Sequence, residues 1–339
     1  MDHTFIWIGI IVVLALSFDF SNGVHDAANA IATTVTTRAL SMGKAVAMAA
    51  VLNLLGAVVS TAVAKFIGKG LVDAHVVTLP IIAAALIGAI SWNLLTWYYG
   101  LPSSSSHALI GGLVGAALFA FGPSSVHAEG LTKTVIALVT SPLAGFLTAY
   151  LLMRGLLRVV RDRPYTPTMR GFRRLQLVSA AFMAFSHGSN DAQKTMGVVT
   201  LALISGHLLP SQAAVPLWVI LSSAAAMALG TAVGGWRIIK TMGSKLVDLT
   251  PAHGFAAETA AAAVILIATH LGLPISTTHV IASSILGVGA TRRANSVRWG
   301  TATNIMLAWV LTIPGAGLVD GLIALAVRRC CPYTLPGSY

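Results

Sequence analysis

Phe20-Ser21-Asn22-Gly23-Val24-His25-Asp26-Ala27 decides how this chain is read, because it returns as Phe185-Ser186-His187-Gly188-Ser189-Asn190-Asp191-Ala192 at an offset of 165. A second motif, Gly100-Leu101-Pro102-Ser103-Ser104-Ser105-Ser106-His107, returns as Gly272-Leu273-Pro274-Ile275-Ser276-Thr277-Thr278-His279 at an offset of 172. Thr140, Pro142 and Gly145 then match Thr312, Pro314 and Gly317 at the same 172. Three matches in one order describe a chain whose halves repeat each other.

The surroundings of these motifs are apolar. Of 339 residues 56% are AVILMFWYC and 9% are charged, against about a quarter charged in a soluble domain. Stretches free of Asp, Glu, Lys and Arg run from Ala45 to Ala64, Ala74 to Ala128, Thr134 to Met153, Thr195 to Trp236, Thr259 to Thr291 and Trp299 to Val319. Each approaches or exceeds the roughly 20 residues that cross a bilayer. The first apolar run, Thr4 to Phe18, follows an acidic start and lacks a small-residue cleavage pattern, so it reads as a span rather than a signal peptide.

The 21 Lys and Arg outnumber the 10 Asp and Glu, yet 15 of them lie in four short loops: Arg38 to Lys44, Arg154 to Arg174, Arg237 to Lys245 and Arg292 to Arg298. Such loops report orientation and not a nucleic-acid partner. Placed in the cytoplasm, they leave both termini outside. Each half then crosses an odd number of times. The expected fold is an all-α polytopic membrane protein of two inverted-topology repeats, with broken helices or helical hairpins and about 10 to 12 membrane segments. The repeats are expected at residues 1–157 and 175–339, joined by a basic cytoplasmic linker at 158–174. Whether Thr4 to Arg38 is one crossing or two half-length segments is open on periodicity alone. Cys330 and Cys331, the only cysteines, are adjacent and form neither a disulfide framework nor a metal-ligand spacing.

Asp26 and Asp191, with Asn29 and Asn190, are carboxylates and amides in apolar surroundings. Gly23 and Gly188 before them are expected to let the helix unwind and expose carbonyls to a small cation or a proton. In the second motif Pro102 and Pro274 suit a first helical turn. Ser104, Ser105, Ser106, Ser276, Thr277 and Thr278 supply hydroxyls beside free backbone amides, an anion site that needs no arginine. The same hydroxyls can instead cap helices. His107 and His279 are candidate proton carriers. Glu258, among alanines, is a candidate coupling group or a headgroup-region acid, and Asp19 shares that ambiguity. Lys194 breaks the repeat where the first half has Asn29. It offers a fixed ammonium in place of a cation, or a helical pair with Asp191.

Phe18-Asp19-Phe20-Ser21-Asn22-Gly23-Val24-His25-Asp26-Ala27-Ala28-Asn29-Ala30, with Gly188-Ser189-Asn190-Asp191 and the paired Gly-Leu-Pro-hydroxyl-His segments, strongly resembles the inorganic phosphate transporter family over nearly the whole chain. The resemblance implies symport of phosphate with sodium or protons. It carries function onto Asp26, Asn29, Asp191, Glu258 and the hydroxyl clusters. Asn53 falls where animal members resemble a glutamate, and Lys194 where they have asparagine. Both departures resemble bacterial members that use protons and carry metal-phosphate complexes.

The expected function is therefore import of inorganic phosphate in the cell (inner) membrane, with a proton, sodium or phosphate-bound divalent metal as the co-transported ion and no resident cofactor. Membrane lipid is the expected surrounding, and a homo-oligomer is left open. Hydrogen phosphate can donate its proton to a carboxylate and sulfate cannot, which favours phosphate over a sulfate transporter of the same fold. An anion channel is the other alternative. Ser106 beside His107 is adjacency in sequence, not a nucleophile and its base, so no enzyme is expected.

Overall fold

In the computed structural model the described residues are 3–73, 76–291 and 296–330, and they form twelve α-helices with two isolated bridges, Val72 to Val126 and Val247 to Val297. Arg292, Arg293, Cys331, the side chain of Cys330 and both chain ends lie outside the described residues.

The helices fall into two sets in the same order. The first is α1 (His3–Thr36), α2 (Met42–Ala57), α3 (Ala62–Gly70), α4 (Leu79–Tyr99), α5 (Ser105–Phe121) and α6 (Ala128–Val159). The second is α7 (Tyr165–Ser205), α8 (Leu217–Val233), α9 (Trp236–Ser244), α10 (Pro251–His270), α11 (Thr277–Ala290) and α12 (Trp299–Cys330). Their packing maps onto itself when the sets are exchanged. Helix α1 lies against α8 and α9, and α7 against α2 and α3; α5 lies against α12, and α11 against α6. Most of these contacts cross between halves, and both hydrophobic cores draw on both sets.

Five helices are long and apolar enough to cross a membrane, and the bent pairs α2–α3 and α8–α9, at 65° and 71°, bring the number to seven. Helices α5 and α11 are shorter apolar segments. Helix α7, 41 residues long, is not marked by hydropathy because it starts with arginines and carries Asp191 and Lys194 in its middle. The outer surface is apolar, with Val51, Leu95, Leu151, Val178 and Val310 exposed, while Asp19, Asp26, Asp191, Lys194, Glu258 and Asp320 are buried. This inversion of the soluble pattern suits a surface facing lipid. The chain is a multi-pass membrane protein.

The breaks do not come where glycine predicted them. Helices α1 and α7 run unbroken through Gly23 and Gly188, so Thr4 to Thr36 is a single helix. The glycines instead permit close approach. A Cβ on Gly188 would collide with the backbone carbonyl of Asn53 in α2, and one on Gly23 with that of Met227 in α8. The real breaks lie between α2 and α3 and between α8 and α9, where the second helix of each pair starts with unpaired amides. Gln193 of α7 satisfies those of α3, its Oε1 accepting from the amides of Val63 and Ala64 at 2.8 and 3.3 Å.

Gly100 and Gly272, at φ of 65° and 68°, take the left-handed conformation that ends a helix and turns the chain from α4 to α5 and from α10 to α11. Helix α9 pins the first turn: Thr241 donates to the Gly100 carbonyl at 2.9 Å, and Arg237 sits over the rings of Trp97 and Tyr98. Between the halves the chain leaves helix only at residues 160–164. Arg158 therefore closes α6, while Arg170, Arg173 and Arg174 ride on the first turns of α7.

Candidate functional site

The N-termini of α5 and α11 meet α1 and α7 at the centre of the molecule. Pro102 and Pro274 stand two residues before the caps rather than in the first turn, because Ser104 and Ser276 are the N-cap residues. Their hydroxyls accept from the amides of His107 and His279 at 3.1 and 3.2 Å, so these two side chains are engaged as caps. The next two residues of each helix, Ser105 and Ser106, Thr277 and Thr278, keep amides without an intrahelical acceptor, and the hydroxyls of Ser105, Thr277 and Thr278 turn to the aspartates.

The wiring repeats between the two halves. Ser105 donates to Asp26 Oδ2 at 3.4 Å, and Thr277 to Asp191 Oδ2 at 2.9 Å. Asn29 donates to Thr278 Oγ1 at 3.0 Å, and its counterpart Lys194 donates to Ser106. Thr278 also reaches Asp26 at 3.3 Å, and Ser106 donates to the Ile275 carbonyl at 3.0 Å, tying one helix start to the other. Lys194 forms an ion pair with Asp191 at helical spacing while also reaching across to α5. The helical pair with Asp191 expected of it is thus present.

Two histidines that the sequence reading passed over complete the cluster. His187, one turn before Asp191, places Nε2 at 3.3 Å from Asp191 Oδ2 and 3.9 Å from Asp26 Oδ2. Its Nδ1 lies 3.1 Å from Asn53 Oδ1, and Asn53 Nδ2 donates to Thr231 at 2.9 Å. The amide is thereby oriented to accept the Nδ1 proton, which aims Nε2 at both carboxylates. Ligand atoms of Asp26, His187 and Asp191 all lie within 4.8 Å of one another, a set of two oxygens and one nitrogen able to hold a cation. His25 Nδ1 meets Asp26 Oδ1 at 2.6 Å, while its Nε2 lies 3.3 Å from Thr96 and 3.4 Å from Ser103. A histidine four residues before a buried aspartate shares its helix face, and that spacing was the available signal for His187.

Four expected site residues, Asn190, His107, His279 and Glu258, stand elsewhere. Asn190 turns away from the aspartates and donates to Thr269 at 2.9 Å, holding α10 to α7. His107 and His279 pack on each other, with ring centroids 4.4 Å apart, and His279 stacks on Trp309. They line an apolar cavity of about 700 Å³ with Phe146, Pro142 and Met306. Ser106 bonds to Ile275 and Lys194 and not to His107.

Glu258 is not in the aspartate cluster. It is fully buried where α10 meets α1 and α7. Its Oε1 accepts from Thr33 at 2.5 Å, Thr34 at 2.7 Å and Gln176 at 3.1 Å, and its Oε2 from Ser179 at 2.5 Å. Four donors satisfy a charge that would otherwise be costly in this setting.

The profile of the Phosphate transporter family matches residues 22–171 and again 160–320, once over each half. The chain belongs to this family. Among family relatives, a probable low-affinity inorganic phosphate transporter of Bacillus subtilis is 48% identical over 93% of this chain and 95% of its own length. One of Rhizobium meliloti is 51% identical over 94% of this chain and 96% of its own length. The fold is also that of a solved structure, the sodium-dependent phosphate transporter, with a TM-score of 0.88, 25% identity and coverage of 96% of this chain and 100% of that one. Phosphate is the substrate of the transporter family, and the chain is read as a transporter rather than an enzyme.

Proposed function

We propose that this protein imports inorganic phosphate by symport with protons, holding the anion between the N-termini of α5 and α11. One observation carries the reading: two helix starts, with Ser105, Ser106, Thr277 and Thr278 and their free amides, converge on Asp26 and Asp191 in a site closed on all sides. Phosphate oxygens take the place of the carboxylates as acceptors for the hydroxyls and amides. The phosphate O–H donates to a carboxylate, which sulfate has no proton to do.

Coupling follows from electrostatics. A unit negative charge about 4 Å from a carboxylate costs about 4 kcal/mol at an effective dielectric of about 20, roughly a thousandfold in affinity. Lys194 and His187 offset part of this, and the coupled cation offsets the rest. A fixed ammonium at Asp191, where the first half has Asn29, favours protons over sodium in this chain. The Asp26, His187 and Asp191 set also suits a divalent metal travelling with the phosphate. Glu258 serves as a second buried acid on the side of the Arg38 loop. We further infer that the two halves are inverted, with the four basic loops in the cytoplasm and both termini outside the cell membrane.

The test is uptake of labelled phosphate into sodium-free proteoliposomes under an inward proton gradient, with excess unlabelled sulfate. Accumulation that sulfate does not suppress, and that alanine at Asp26, Asp191 or Glu258 abolishes in well-folded protein, is expected. Accumulation only with sodium would replace the coupling ion. Unchanged uptake in all three variants would remove the site.

A further inference from the structure

Five carboxylates are buried among the described residues: Asp19, Asp26, Asp191, Glu258 and Asp320. Asp26, Asp191 and Glu258 are bonded as described above. Asp320 has no hydrogen-bond partner at either oxygen, and Asp19 has none of normal geometry, with the Thr195 hydroxyl acting on it from nearby. Asp320 fills a notch left by Gly88 and Gly112, and no charged side chain among the described residues acts on it. Its position at α4, α5 and α12 keeps it apart from the aspartate cluster.

Asp19 is different. It lies seven residues before Asp26 on α1 and so on the same helix face, about 10 Å away along the axis. Across from it on α7 stand Thr195 and the charges of Asp191, Lys194 and His187. Helices α4 and α8, which also pack on α1, carry no acidic, basic or histidine side chain. Helix α9, with Arg237 and Lys240, runs beside the other half of α1, Gly235 meeting Val24 and Gly243 meeting Thr36. Asn22, one turn from Asp19, likewise has both amide atoms buried without a partner. The repeat places alanines at the equivalents of Asp19 and Thr195, namely Ala184 and Ala30, so this acid and hydroxyl belong to one side of the site only.

We propose that Asp19 carries the proton whose movement is coupled to phosphate. A buried carboxyl without a well-formed hydrogen bond is tolerated when neutral, and it must release and regain its proton to become useful. It faces the side of the site away from the Arg38 loop, where a proton entering from outside arrives first. Phosphate in the site adds negative charge about 10 Å away, which at an effective dielectric near 20 tightens proton binding about tenfold. By linkage the proton tightens phosphate binding by the same factor. This inference rests on proton symport as proposed above.

Asp19→Asn holds the position permanently in its neutral form. In proteoliposomes we expect phosphate-for-phosphate exchange to stay within about twofold of the parent, since exchange needs no deprotonation, and proton-driven net uptake to fall at least about tenfold. Asp19→Glu should retain both. Thr195→Val removes the hydroxyl facing the carboxylate and should shift the pH profile of net uptake with exchange unchanged, a readout that stands if Asp19→Asn does not fold. Proton-driven accumulation by Asp19→Asn, loss of exchange together with uptake in folded protein, or an unshifted profile in Thr195→Val would each overturn the assignment. If the parent protein shows no proton-driven uptake, the failure lies in the coupling ion proposed above.

Discussion

Replacing Asn53 by alanine tests whether the site depends on how His187 is held. Asn53 touches neither aspartate; it accepts the His187 Nδ1 proton at 3.1 Å and donates to Thr231 at 2.9 Å. Thr231 keeps its own bond to the Met227 carbonyl, and Gly188 packs on the backbone of Asn53, so neither contact is lost in the variant. What is lost is the acceptor for one buried N–H, a penalty of about 1 to 3 kcal/mol, which lowers the population of the aimed imidazole about 5- to 150-fold. Outer partners of ligating histidines have effects of about 10- to 100-fold when removed. Initial rates of labelled phosphate uptake should show KM raised by about that range with a smaller change in maximal rate, and Asn53→Asp, which restores an acceptor, should recover most of it. A folded Asn53→Ala protein with the KM of the parent would refute the argument that His187 is positioned by Asn53 and acts on the carboxylates.

Two further outcomes are expected. Lys194→Asn removes the ammonium paired with Asp191 and bonded to Ser106; the sodium and pH dependence of uptake or the phosphate affinity should change, and identical values in all three would leave only a structural role. Gly188→Ala drives a methyl into the Asn53 carbonyl and should cost about 1 to 3 kcal/mol of stability in thermal unfolding in detergent. Gly155→Ala, which meets nothing, should gain up to about 1 kcal/mol, and equal shifts in the two variants would contradict the packing described for α7 and α2.

The duplication was legible because two polar motifs stand out against apolar sequence, and from it came the two sets of helices and the hydroxyls and aspartates as candidate site residues, though not their contacts with each other. The role of Gly23 and Gly188 was not. A missing Cβ serves equally to loosen a helix and to admit a neighbour, and the neighbours, Met227 and Asn53, lie far away in the chain. The engagement of Ser104 and Ser276 as caps was foreseen as an alternative, but which hydroxyl of each run caps and which faces the site depends on where the helix begins. The Asn53 to His187 contact joins residues 134 apart, and no local pattern announces it. Glu258 was visible as a costly acid. Its four donors come from Thr33, Thr34, Gln176 and Ser179 on two other helices, whose convergence is a property of packing.

The crossed packing of the two halves has a consequence for synthesis. Asn29 finds its partners in Thr277 and Thr278, which emerge from the ribosome 248 and 249 residues later. At about 5 to 20 residues per second that is a wait of roughly 12 to 50 seconds. Until α7 and α8 follow it, and α11 last of all, the polar stripe of α1, from Asp19 through Asn22 and Asp26 to Asn29, lacks the helices that cover it in the finished fold. The nascent first helix therefore has to be sheltered by the insertion machinery or linger at the membrane interface until its complement arrives.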